Sequence, residues 1–127
     1  MEKALKQQPA NCLKVVLFGP ESTGKTTLSR QLARYYNSVW VSEYAREYLQ
    51  NKWNNERKTC EPKDILPIAI GQMALENELS KKTDSILICD TDLLETKVYS
   101  ETYYSGTCDS LLEKYAIENT YDLYFLT

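Results

Sequence analysis

The chain has 127 residues, 43% hydrophobic and 26% charged, an ordinary globular composition that predicts a single domain over residues 1–127. Its 15 basic and 18 acidic side chains give a net charge of −3, and no run of Lys or Arg is long enough to form a basic stripe, so we expect no nucleic-acid partner. No apolar stretch approaches the roughly 20 residues that span a bilayer, and the polar N-terminus has no signal-peptide pattern, so we expect a cytoplasmic protein with no membrane partner.

The first predicted elements are a strand, a glycine-bearing loop and a helix. Residues 13–19 read LKVVLFG, a short apolar run rich in β-branched residues, which predicts a strand buried on both faces. A helix over residues 24–37 is predicted because apolar side chains recur there at helical spacing, namely Leu28, Leu32, Tyr35 and Tyr36. A second strand over residues 39–42 and a second helix over residues 43–53 follow.

The remainder repeats the alternation of helix and strand. A helix is predicted to start near Pro67 and end near Lys82, and the sequence SILICD at residues 85–90 predicts a third buried strand. Two further helices and a strand over residues 121–126 complete the chain. The pattern predicts an α/β fold of three layers, a mostly parallel sheet with helices on both faces. Because no helix follows the last strand, we expect a truncated chain.

One motif carries a specific chemistry. GPESTGKT at residues 19–26 matches G-x-x-x-x-G-K-[ST] and lies between the first strand and the first helix, as a phosphate-binding P-loop does. We expect the triphosphate of ATP or GTP to be held by Gly19, Pro20, Glu21, Ser22, Thr23, Gly24, Lys25, Thr26 and Thr27. In this role Lys25 contacts the β- and γ-phosphates and the Thr26 hydroxyl coordinates Mg²⁺. The alternative is a plain glycine turn before a helix.

Two acidic residues follow the third strand. Asp90 ends the apolar run and is a candidate Mg²⁺ carboxylate on a strand beside the P-loop. Asp92 is a second functional candidate, and the alternative is that it caps the helix that begins at Leu93.

Glu43 and Arg46 follow the second strand. The carboxyl ends of parallel strands share one sheet edge, where substrates of open α/β sheets bind, so the Glu43 carboxylate is a candidate proton acceptor. The alternative is that Glu43 favours a helix N-terminus by its charge and Arg46 is a solvated surface residue.

The chain has no histidine, so imidazole chemistry is excluded. Most of the ten tyrosines are expected to serve packing, although Tyr99, Tyr103 and Tyr104 lie where rings could stack on a heterocycle.

Four segments together resemble a known family. GPESTGKTTL, EYAREYL, IAIGQ and DTDLLETKVYSETYY, at residues 19–28, 43–49, 68–72 and 90–104, are similar in order and spacing to the ribosylnicotinamide kinase domain of the bacterial NAD-biosynthesis regulator family. The P-loop is shared by many NTPases, whereas the second and fourth segments are more specific.

The resemblance implies ATP- and Mg²⁺-dependent phosphorylation of the 5′-hydroxyl of nicotinamide riboside, a step of NAD salvage. It implies a fold like that of nucleoside kinases, with strand order 2-3-1-4-5. It also implies that Glu43 is the base or a ribose ligand, Arg46 a phosphate or substrate contact and Asp90 the carboxylate on the metal side.

The chain departs from the family in two respects. It lacks the paired histidines that the adenylyltransferase domain of such proteins needs, and it ends before the lid and last strand of related kinases. We therefore expect no adenylyltransferase activity. The alternatives to the nicotinamide riboside kinase are a kinase for another nucleoside, a regulatory ATP-binding module, or a chain too short to act. We also expect self-association through the unprotected strand at residues 121–126.

Overall fold

Four parallel strands form one sheet in the computed structural model, which describes residues 2–19, 24–104 and 109–126. In chain order the strands are β1 (Leu13–Phe18), β2 (Val39–Val41), β3 (Ile86–Cys89) and β4 (Leu123–Leu126). Their spatial order is β2-β3-β1-β4 and every pairing is parallel. The predicted order of the first four strands is confirmed.

Five α-helices occur in the described residues, close to where the sequence predicts them. They are α1 (Lys25–Tyr35), α2 (Tyr44–Glu56), α3 (Ile65–Ser80), α4 (Leu93–Tyr103) and α5 (Ser110–Glu118). Short 3-10 helices cover Glu2–Leu5 and Pro62–Asp64. Pro67 is the third residue of α3, where a missing backbone N–H costs nothing because the first turn has no intrahelical acceptor. No helix in the described part of the chain is long and apolar enough to cross a membrane.

Helices cover both faces of the sheet. Successive β1 side chains point to opposite faces, so Leu17 packs with Ile88 and Ala33 on the side of α1, whereas Val16 packs with Val41 and Leu87 on the side of α3. The predicted three-layer α/β architecture is therefore confirmed.

The inner face of α1 matches the predicted apolar residues in part. Leu28 and Leu32 are partly buried against the core, whereas Tyr35 and Tyr36 are 80% and 50% exposed. The buried residues of the helix are Lys25, Ser29 and Ala33. The three buried residues follow one another at intervals of four, which places them on one side of the helix. The two tyrosines lie at the C-terminal end of the helix, where their side chains are exposed to solvent.

The N-terminal 3-10 helix covers a second core, for which the polar sequence offered no prediction. The Leu5 side chain is fully buried among Ile65, Met73 and Leu112, which come from α3 and α5. The Leu5 carbonyl accepts a hydrogen bond from the Asn119 side-chain amide at 3.2 Å. This segment therefore closes the side of the domain opposite α1.

Candidate functional site

The carboxyl ends of β1, β2 and β3 form one edge, and the predicted site residues lie along it. Gly19 follows β1, Glu43 comes two residues after β2, and Asp90 follows β3 directly. The Asp90 N–H donates to the Val41 carbonyl at 2.9 Å and so ties two of these ends together. Residues Pro20, Glu21, Ser22 and Thr23 of the predicted P-loop lie outside the described residues.

The start of α1 has the local geometry of a phosphate-binding turn. Gly24 is the N-cap with φ of +79°, a left-handed conformation that strains any residue with a β-carbon. Lys25 is the first helical residue and its side chain is 9% exposed, whereas Thr27 in the same turn is exposed. The free N–H groups and the dipole of the helix N-terminus favour an anion at this place.

Lys25 pairs with an acidic residue that the sequence analysis did not single out. Its Nζ lies 2.8 and 3.0 Å from the two carboxylate oxygens of Glu95 and 4.0 Å from Glu43 Oε2. The Gly19 N–H also donates to Glu95 Oε1, at 3.5 Å, and the Thr91 hydroxyl donates to the other Glu95 oxygen. The Glu95 carboxylate thus accepts bonds from two groups that would bind a phosphate oxygen in a P-loop.

Thr26 and Asp90 meet beneath the start of α1. The Thr26 hydroxyl donates to Asp90 Oδ2 at 2.8 Å and accepts from Arg46 Nη2 at 3.0 Å. The Asp90 side chain is completely buried, and its Oδ1 has no hydrogen-bond partner in the described part of the chain. A buried carboxylate oxygen without a donor, beside a hydroxyl, is the kind of hard oxygen pair that Mg²⁺ prefers. These residues therefore fit a magnesium ion.

Glu43 lies beside this pair with a partly buried carboxylate. It is the N-cap of α2 but accepts no capping hydrogen bond with its side chain, and its Oε2 lies 3.7 Å from Arg46 Nη2. Burial raises the pKa of Glu43, the negative charges of Asp90 and Glu95 raise it further, and Lys25 opposes them. A carboxylate with a raised pKa takes up a proton more readily near neutral pH, which suits a general base.

Asp92 has the capping position that the sequence left as one alternative. It is the N-cap of α4, and its Oδ1 accepts the Glu95 N–H at 3.0 Å. Burial raises the pKa of Asp92 to about 6. The capping interpretation is confirmed, and its catalytic role stays a prediction.

A cavity of about 650 Å³ opens beside these groups, between α2, α3 and α4. Its polar end is formed by Lys25 with Glu43 and Glu95, whose carboxylates lie within 4.0 Å of Lys25 Nζ. Apolar and aromatic side chains such as Leu49 and Tyr99 form other parts of the lining. The Tyr99 and Tyr103 rings lie 4.6 Å apart and both line the cavity. Tyr104 instead packs against the core and donates its hydroxyl to Cys60 Sγ at 3.4 Å.

A known protein family matches almost the whole chain. The AAA domain family matches residues 14–127. The chain belongs to this family. Over 89 residues, or 70% of the chain, this AAA domain is 28% identical to the trifunctional NAD biosynthesis/regulator protein NadR of Salmonella typhimurium and of Escherichia coli.

Solved structures of NadR share the fold of this AAA domain. The structure of NadR in complex with NR matches with a TM-score of 0.72 at 28% identity, over 91% of this chain and 33% of that one. The structure with NAD and AMP-PNP matches with a TM-score of 0.71 at 28% identity, over 91% of this chain and 34% of that one. The chain spans 22% of the length of the two curated relatives. The resemblance and the P-loop NTPase fold expected from the sequence are confirmed.

Two residues of this AAA domain site escaped the sequence analysis. Glu95 comes three residues after Asp92, a spacing that signals a helix start, but nothing local indicates its contact with Lys25, 70 residues away. Gln72 belongs to the IAIGQ segment and lines the cavity. Its position on α3 was visible in the sequence, whereas its partners at the end of β2 were not.

Proposed function

We propose that this AAA domain is an ATP-dependent small-molecule kinase that phosphorylates nicotinamide riboside to nicotinamide mononucleotide. The observation that carries the proposal is the juxtaposition of a phosphate-type helix start with a cavity, with the Glu43 carboxylate between them. A kinase needs both halves, because phosphoryl transfer requires an acceptor hydroxyl held next to the phosphates. NadR structures with NR and with AMP-PNP support the choice of ligands.

The nucleotide half consists of Gly19, Gly24, Lys25, Thr26 and Thr27, with residues 20–23 between them. The start of α1 binds the phosphates through backbone N–H groups, and the Lys25 ammonium neutralises the charge of the β- and γ-phosphates. These contacts do not distinguish adenine from guanine. We propose ATP rather than GTP only because a NadR structure contains AMP-PNP.

Thr26 Oγ1 and Asp90 would hold a magnesium ion, since Asp90 Oδ1 is a buried oxygen with no hydrogen-bond partner in the described part of the chain. When bound, Mg²⁺ neutralises phosphate charge and so makes the γ-phosphorus a better target. Arg46 donates to Thr26 Oγ1 and adds a second cation at the same edge.

The acceptor half is the cavity. Glu43 takes the proton of the 5′-hydroxyl while the hydroxyl oxygen bonds to the γ-phosphorus and the bond to the β-phosphate oxygen breaks, which releases ADP. Its raised pKa and its place at the polar end of the cavity support this role. The heterocycle of the nucleoside lies against the apolar and aromatic part of the lining, which favours a flat ring.

The Lys25–Glu95 contact supports a second candidate, a regulatory ATP-binding module. Because phosphates would replace Glu95 at Lys25, nucleotide binding would free the first turn of α4 and so change the surface of that helix. A module of this kind binds ATP without transferring a phosphoryl group. A kinase for another nucleoside would transfer it, but to a different acceptor.

Calorimetric titration with ATP·Mg²⁺ tests the proposal in the unmutated chain, in Lys25→Ala and in Lys82→Ala, a control whose exposed side chain lies two residues after α3. We expect binding to the unmutated chain and to the control, and loss of binding in Lys25→Ala. Nicotinamide riboside is then added and its 5′-phosphate is measured by chromatography. Binding without product favours the regulatory module, product from other nucleosides alone contradicts the substrate, and absence of binding contradicts the whole proposal.

A further inference from the structure

The turn between β2 and α2, which carries Glu43, is held by a side chain from another helix. Gln72 of α3 is 3% exposed. Its Oε1 accepts the Tyr44 N–H at 2.7 Å and its Nε2 donates to the Ser42 carbonyl at 3.0 Å. The two backbone groups belong to the residues immediately before and after Glu43. The side-chain amide of Gln72 therefore bonds the backbone on both sides of Glu43, the proposed proton acceptor.

This arrangement satisfies a helix N-terminus without using the side chain of its N-cap. The first N–H groups of a helix have no intrahelical acceptor, and the N-cap side chain commonly supplies one. Here Gln72 accepts the N–H of the first helical residue, Tyr44, and Glu43 makes no side-chain capping bond. The Glu43 carboxylate is thus free to lie 4.0 Å from Lys25 Nζ at the polar end of the cavity.

Gly71, the residue before Gln72, allows the Tyr44 ring to lie close to the backbone of α3. A β-carbon on Gly71 would overlap ring atoms of Tyr44, so only glycine allows this ring to lie directly on the backbone of α3. Gly71 and Gln72 are neighbours on α3, and both hold the segment between β2 and α2. Gly71 contacts the Tyr44 ring, and Gln72 forms hydrogen bonds with the backbone.

We propose that Gln72, with Gly71 beside it, is a positioning residue that fixes the Glu43 carboxylate relative to Lys25, a role that rests on the kinase function proposed above. It acts through the backbone of Ser42 and Tyr44. The carboxylate is held before the substrate arrives, which matters because a displacement of about 1 Å at a reacting group can cost about a hundredfold in rate.

Amide hydrogen exchange at Tyr44 tests the positioning without any need for activity. The Tyr44 N–H has no acceptor within its own helix, so its protection reports the bond to Gln72. We expect exchange to become at least about tenfold faster in Gln72→Met, which keeps the side-chain volume, and less so in Gln72→Glu, which keeps the acceptor. Gln50→Met, on the exposed side of α2, is the matched control. Unchanged exchange in folded Gln72→Met would overturn the proposal.

Kinetics of phosphoryl transfer to nicotinamide riboside then test the action through Glu43. We expect Gln72→Met to lower kcat by about tenfold to a hundredfold with KM for ATP within about twofold. In a Glu43→Gln background the same substitution should have no further effect on kcat, because the group it positions is gone. Independent, multiplying effects would refute the positioning role. If the unmutated chain transfers no phosphoryl group, the kinase function fails, and the exchange measurement still decides whether Gln72 holds the turn. Gly71→Ala should speed Tyr44 exchange by the separate route of ring displacement.

Discussion

Replacing Glu95 with Gln should make ATP bind more tightly and the nucleotide-free chain less stable. Glu95 holds Lys25 through two contacts of 2.8 and 3.0 Å, and the Gly19 N–H points to the same carboxylate. An incoming phosphate must displace this carboxylate and also approaches its negative charge. Glutamine has nearly the same shape without the charge, so both obstacles to the nucleotide become smaller.

The size of the effect follows from the burial of the pair. Two unit charges about 4 Å apart attract by about 4 kcal/mol near a protein surface, whereas fully exposed pairs contribute about 0.2–1 kcal/mol. The Lys25 side chain is 9% exposed and that of Glu95 is 24% exposed, between these limits. We expect about 1–2 kcal/mol, which corresponds to ATP binding about fivefold to thirtyfold tighter. The free energy of unfolding without nucleotide should fall by a similar amount.

Calorimetry with ATP·Mg²⁺ and urea unfolding of the nucleotide-free chain measure the two effects. Glu101→Gln is the matched control, since it removes the same charge from the same helix at a residue that pairs with Lys97 instead. The control should change ATP affinity by less than about twofold. Weaker ATP binding in Glu95→Gln would refute the reasoning, because it would mean that Glu95 contributes to the nucleotide site rather than competing for Lys25.

Three further predictions concern stability and assembly. Leu5→Ala should lower the free energy of unfolding by about 2–5 kcal/mol, measured with urea, because the side chain is fully buried; a change below 1 kcal/mol would contradict its place in the core. Burial raises the pKa of Asp64, but hydrogen bonds led by that from Lys52 lower it below its ordinary 3.8 overall. The unfolded chain then binds the proton more readily, so this stabilisation is present above about pH 4 and is lost as the pH falls through the lowered pKa. In thermal melts Asp64→Asn should accordingly be less stable at pH 7 and approach the unmutated chain at low pH. Sedimentation should detect self-association through β4 at high micromolar concentration and its loss in Leu126→Lys, whereas a monomeric unmutated chain would contradict it.

Most of the fold was predictable because its signals are local. Apolar runs bounded by glycine or acidic residues mark the buried strands. Each predicted helix is present, and the three helices whose ends were predicted end within a few residues of those positions. The predicted strand order came from the resemblance. Leu5 was not predictable, because one apolar residue in a polar segment has no periodicity, and only the packing of α3 against α5 creates the space that it fills.

The candidate site also has some features that the sequence predicted and others that only the structure revealed. The sequence by itself determined the start of α1, because glycine, lysine and threonine at a fixed spacing after a buried strand have a local reason to occur together. It also placed Glu43 and Asp90 at one sheet edge through the parallel strands. Only the tertiary structure decided which groups touch Lys25 and what holds the turn at Glu43. Both contacts join groups far apart in the sequence, two side chains in one case and a side chain and a backbone N–H in the other. Their geometry depends on how α3 and α4 pack on the sheet, which no local pattern specifies.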